Sequence, residues 1–149
     1  MIASEIRTIL KTFTDIDLHY CFGSLEDANS DSEGVENGEY FFVLDENSFS
    51  TSGTSRGLPS LNNQNISFRL MCFSPNECDE QDDDFEQRED IFNNCRFYTQ
   101  KVLSSLAKTA GYKGLTFTDG YRNKAFKDKM AGYFVDVNVI KTQEIFNFC

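Results

Sequence analysis

The stretch MAGYFVDVNVIK at 130–141 sets Tyr133, Val135, Val137 and Val139 against Phe134, Asp136, Asn138 and Ile140. A period of two with valines along one side dictates a strand whose valine face is buried. A strand needs neighbours for its backbone hydrogen bonds, and the rest of the chain supplies them. IDLHYCF (16–22) alternates Ile16, Leu18, Tyr20 and Phe22 with Asp17, His19 and Cys21. EYFFVLDE (39–46) is apolar enough to be covered on both faces, and NISFRLMCFS (65–74) puts Ile66, Phe68, Leu70 and Cys72 on one face. KGLTFTDGYR (113–122) reads as a short strand around Leu115–Thr118, with a turn at Asp119-Gly120.

Two helices complete the pattern. Ile6, Ile9, Leu10 and Phe13 step at helical spacing, with Ser4 as candidate N-cap. Over 85–110, Ile91, Cys95, Tyr98, Val102 and Leu106 form one stripe, and Gly111 is the natural residue to end it. The order α-β-β-β-α-β-β predicts an α+β fold: an antiparallel (mixed) sheet of about five strands with both helices on one face. The strand-crossover-strand rhythm of a doubly wound sheet is absent. At 149 residues the chain is expected to form a single domain, 1–149.

Two segments read as loops. GSLEDANSDSEGVENGE (23–39) is polar and acidic, and NSFSTSGTSRGLPSLNNQN (47–65) is rich in Ser, Asn and Gly. A loop as long as the second is functional or unstructured in a small domain. Two readings stand side by side, an arm ordered by a partner and a flexible surface loop.

Hydrophobic residues make up 40% and aromatics 14% of the chain, with fifteen Phe, a globular composition rather than a disordered one. The apolar runs YFFVL and LMCF are too short to cross a bilayer, and Glu5 interrupts any secretory signal at the N-terminus. The five cysteines (Cys21, Cys72, Cys78, Cys95 and Cys149) contain no Cys-x-x-Cys pair, so reduced thiols are expected. With His19 the only histidine, zinc is not expected either.

The net charge of −10 is unevenly spread. Residues 1–90 hold 20 acids and 5 bases, whereas 91–149 hold 4 acids and 9 bases. This balance disfavours binding of duplex DNA. It suits contacts between the acidic part of one copy and the basic part of the next, although two solvated charge sets give the same counts.

The densest acidic run, CDEQDDDFEQRED (78–90), carries eight carboxylates. It lacks the glycine of an EF-hand loop. Asp82, Asp83 and Asp84 are consecutive, so their side chains diverge instead of converging on a metal. Their place before the long helix predicts a helix entrance, with Asp84 as N-cap and Asp83 and Glu86 at the positive end of the macrodipole. His19 and Cys21 share a strand face but lack a third orienting group, so both are read as structural. Asn65-Ile66-Ser67 matches a glycosylation sequon by chance. No phosphate-binding, dinucleotide-binding, hydrolase or zinc-protease motif is found. No catalysis and no cofactor are expected.

An N-terminal helix, a strand pair with a long loop, a long helix after an acidic turn, and a hairpin ending in DKMAGYFVDVNVI follow one another. This order resembles the tail-terminator, or tail-completion, proteins of tailed bacteriophages, and more broadly the small α+β proteins of head-to-tail connector rings. The resemblance covers most of the chain and rests on element order and the terminal strand AGYFVDVNV. It implies a non-catalytic virion protein, made in the bacterial host cytoplasm. Its partners would be itself, in a ring six-fold in long tails or up to twelve-fold at short-tailed connectors, and neighbouring connector, portal-side or tail proteins. Neither sequence-specific nucleic-acid binding nor a membrane is implied. The acidic segment 23–39 and the apolar tail 142–149 have no counterpart in that pattern.

The candidate interface residues are Phe49, Arg56, Leu58 and Leu61 of the long loop and Asp82, Asp83 and Asp84 of the acidic run. To these are added Lys124, Lys127 and Lys129 before the last strand and Phe146 and Phe148 of the tail. The alternative reading is a small acidic monomer of the immunity type that inhibits a partner.

Overall fold

The computed structural model describes residues 2–55, 61–75, 85–109, 112–125 and 130–142. In chain order the elements are α1 (Ile2–Lys11), β1 (Leu18–Gly23), α2 (Leu25–Asp31), β2 (Tyr40–Asp45), β3 (Ser50–Ser55), β4 (Leu61–Pro75), α3 (Phe85–Ala107), β5 (Tyr112–Ala125) and β6 (Met130–Thr142). Short 3₁₀ turns at Ser32–Gly34 and Glu46–Ser48 precede β2 and β3. The fold is α+β, a mixed, largely antiparallel six-stranded sheet packed by helices. The strands run β1-β2-β4-β6-β5, with β3 also paired to β4.

The alternation in the sequence fixes which side chains meet. Tyr133, Val135, Val137 and Val139 of β6 lie on the face covered by α1 and α3, with Phe68, Leu70 and Cys72 of β4 and Phe42 and Leu44 of β2. The stripe of α3 closes this core through Cys95, Val102, Leu103 and Leu106, and α1 through Ile2, Ile6 and Leu10. Each fully buried side chain of this size contributes roughly 1.5–3 kcal/mol relative to exposure.

Several expectations are corrected. The segment 23–39 is not a loop. Ser24 caps α2 in a reciprocal box, its Oγ accepting from the Asp27 N–H at 3.2 Å while Asp27 Oδ2 accepts from the Ser24 N–H at 3.3 Å. The signal was the Ser-x-x-Asp spacing, hidden because α2 buries only Ala28 and so has no apolar stripe. This helix carries the chain over between β1 and β2, which therefore pair in parallel, Leu18 opposite Tyr40 through Gly23 opposite Asp45. Gly38, at φ 82°, supplies the left-handed turn into β2. The two expected helices, α1 and α3, do share one face, and the added α2 lies on the other. A second, smaller core of Cys21, Ala28, Val35, Phe41, Val43, Met71, Phe73 and Met130 lies on the side opposite α1 and α3.

Within 47–65, residues 50–55 and 61–65 are strand rather than loop, and 56–60 lie outside the described residues. β2 and β3 lie end to end along one edge of β4, pairing with Leu70–Phe73 and with Leu61–Ser67, and β6 runs along the other edge. The 3₁₀ turn interrupts what is otherwise one long strand. Ser48 repairs the ladder at that break: its Oγ accepts from the Arg69 N–H at 2.8 Å and donates to the Asp45 carbonyl at 2.6 Å.

Ser4 lies inside α1 rather than at its N-cap position, and its carbonyl accepts from Thr8 Oγ1 at 2.9 Å. The Asp119-Gly120 turn is also absent, because both residues sit within β5 opposite Val135 and Phe134. Gly120 is there for space. A Cβ at that position would lie 2.7 Å from Cζ of the Phe134 ring. At Gly132 the strands approach more closely still, with a Cβ placed 2.1 Å from the Cys72 carbonyl oxygen.

Candidate interaction surface

β5 lies at the end of the sheet and pairs only with β6 among the described strands. Its side chains alternate across that pairing. Leu115, Phe117, Asp119 and Tyr121 stand opposite Val139, Val137, Val135 and Tyr133 and so share the α1/α3 face. Beyond the cover of α3 this row opens to solvent, leaving Phe117 45% and Tyr121 49% exposed. Tyr121 leans on Phe92 of α3 at 4.9 Å between ring centroids. Tyr133 Oη donates to Asp119 Oδ2 at 2.7 Å, and burial together with that bond pushes the phenol well above its usual range. Sequence reasoning missed this row because reading Asp119-Gly120 as a turn cut the strand short. The period-two run from Leu115 to Tyr121 was the signal available.

On the opposite face, Thr116 and Thr118 of β5, Asp136 and Asn138 of β6, and Ser48 and Ser67 line a groove of about 400 Å³, with Phe68, Phe117 and Val137 completing its wall. Arg69 holds Asp136 in two hydrogen bonds, Nε to Oδ1 at 2.7 Å and Nη2 to Oδ2 at 3.0 Å. These bonds lower the Asp136 pKa and raise that of Arg69. Two guanidiniums of this face lie over one ring, Arg69 at 4.8 Å and Arg122 at 5.6 Å from the Phe134 centroid. A carboxylate held this way is a poor general base. The groove's hydroxyls and amide can hydrogen-bond a polar chain, and among the described residues none of them has an activating partner.

The other end of the sheet is β1. Tyr20 is 37% exposed, on the α1/α3 face like the aromatics of β5, with Arg7 of α1 5.7 Å from its ring centroid. On the reverse face His19 Nε2 lies 3.2 Å from Glu39 Oε1. The Glu39 carboxylate also accepts from the Glu36 N–H at 2.8 Å, and this bond chiefly lowers its pKa. Cys21 is buried in the smaller core, and desolvation together with Asp31 pushes its thiol up to about 11. Burial raises the Cys72 thiol as well, and Cys21, Cys72 and Cys95 are all free and buried. Raised in this way, the thiols of Cys21 and Cys72 are poor nucleophiles.

Of the interface residues expected from sequence, Phe49 is placed just before β3, stacked on Phe68 at 5.6 Å. It therefore packs beside the apolar row of β4. Leu61 begins β4, and Lys124 lies in the last stretch of β5. Arg56, Leu58, Asp82, Asp83, Asp84, Lys127, Lys129, Phe146 and Phe148 lie outside the described residues, as do Cys78 and Cys149. Among the described residues no three His, Cys, Asp or Glu side chains form a group able to hold a metal, and no helix is long and apolar enough to cross a membrane. No protein-family model matches the chain, and no curated protein matches it.

Proposed function

We propose that the protein is a non-catalytic assembly protein, a subunit of a homo-oligomeric ring of the kind found at the tail terminator or head-to-tail connector of tailed bacteriophages. The observation that carries the assembly role is β5, a long strand with one neighbour among the described strands and two aromatic side chains half exposed along it. A strand edge of that length, regular from Gly114 to Arg122 with a register shift at either end, can template pairing with another chain. The placement in a phage virion rests on the order of elements and the terminal strand AGYFVDVNV, and the neighbouring connector, portal-side or tail proteins follow from that placement. An acidic ring around a DNA conduit would also repel the passing duplex.

The test is the mass of the purified protein by light scattering, with images of the particles by electron microscopy. A closed ring is expected. A monomer up to the solubility limit would defeat the ring and favour the acidic inhibitor reading instead.

A further inference from the structure

We propose that the ring closes through the sheet itself, with β5 of one copy pairing antiparallel to β1 of the next. This rests on the ring reading above and names the contact that would build it. Three observations converge on the pairing.

The first is direction. β1, β2 and β6 run one way and β4 and β5 the other. Rotation about an axis along the strands leaves the next copy's β1 opposed to β5, which gives the more stable antiparallel ladder.

The second is the side chains that would meet. Phe117 and Tyr121 at one end, and Tyr20 at the other, are exposed on the same α1/α3 face of the sheet. A continuous sheet would set them beside one another, where cross-strand aromatic pairs are favourable. Within one copy these groups lie at opposite ends of the strand order and cannot meet.

The third is charge. Residues 15–39, which hold β1 and α2, carry eight carboxylates and no lysine or arginine. Residues 112–129, which hold β5, carry five bases and two acids. On the face away from α1 and α3, Arg122 is exposed on β5, while Glu26 is exposed on α2, which packs against β1. The seam therefore joins opposite charges on one face and aromatics on the other. Two β5 edges brought together would instead oppose like charges.

The test uses two variants of the full chain, Phe117→Asp and Tyr20→Asp, each checked for the wild-type circular dichroism spectrum and melting temperature. Each alone is expected to lose ring assembly, with association weakened at least about tenfold, the scale of losing one central interface side chain. Mixed together they retain one intact β5 and one intact β1, so the mixture is expected to stop at a one-to-one dimer. Should either variant fold poorly, a second pair decides. Arg122→Glu is expected to weaken association, and adding Glu26→Lys in the same chain to restore it. Rings from either aspartate variant as tight as wild type would overturn the seam and leave the ring reading standing. Dimers formed by Tyr20→Asp alone would point to two β5 edges and also overturn it. Wild-type protein that stays monomeric would overturn the ring reading and the seam together.

Discussion

The middle of the sheet and its β5 end are built from similar residues but do different work. On β2, Phe41, Phe42, Val43 and Leu44 are each at most 1% exposed, because α1 and α3 cover one face and α2 with its flanks covers part of the other. On β5, Phe117 and Tyr121 are about half exposed, with only β6 beside them. Side-chain type alone does not separate the two regions; the number of covering layers does. Changes in the middle should therefore act on folding, and changes at the end on association.

The largest expected effect is Phe42→Ala, which opens a cavity between β2 and the α1/α3 layer. It should cost roughly 3–5 kcal/mol, read by chemical denaturation. A loss below about 1 kcal/mol would mean that the middle of the sheet is not packed as described. Next is Gly132→Ala, whose new methyl would meet the backbone of β4 at Cys72 and Phe73. A cost of about 1–3 kcal/mol or more is expected. Gly120→Ala meets only the Phe134 ring, which can rotate away, so it should cost less than Gly132→Ala; the reverse order would misplace the close approach.

These two glycines show what was readable in the sequence and what was not. The alternation of 130–141 and 65–74 and the α3 stripe each buried the face that their periodicity assigned, because each has a partner layer along its length. Asp119-Gly120 misled because a glycine that makes room for a ring across the strand has the same one-dimensional signature as a turn glycine. α2 was missed because a short crossover helix held by its cap needs few apolar residues. β3 was missed because STSGTS has no apolar face, and its place depends on β4 beside it. The exposed aromatics of β5 were legible as strand residues. That α3 leaves them uncovered is a fact of packing, which the sequence does not carry.

Smaller effects belong to the polar groups. Tyr133 and Tyr112, the latter donating to the Glu5 carboxylate, have pKa values raised first by burial, and Tyr40 is pushed up to about 12 by the same cause. A phenol raised in the folded state favours folding fully below the unfolded value, about pH 10. That contribution is lost as pH climbs from there through the folded values. Stability should thus fall steeply in alkali, and Tyr133→Phe should flatten the fall while costing about 1 kcal/mol at neutral pH. An alkaline profile unchanged in Tyr133→Phe would remove that phenol from the explanation.

The Arg69–Asp136 pair should contribute least, about 0–1 kcal/mol, since both side chains remain substantially hydrated. Asp136 is lowered, so its share is present above the unfolded value near 4 and disappears as pH falls through the folded one. Asp136→Asn should reduce the acid sensitivity of denaturation and barely change stability at neutral pH. A loss above about 2 kcal/mol at neutral pH would show the pair to be far better shielded than its exposure indicates.

Amide hydrogen exchange, compared between dilute and assembled protein, tests most directly whether the end of the sheet is an assembly edge. Assembly is expected to slow exchange in β5, 112–125, and in β1, 18–23, while β2, already paired on both sides, stays as it was. Equal exchange rates along β5 in the two states, with protection gained only elsewhere, would contradict the division between a folding middle and an associating end.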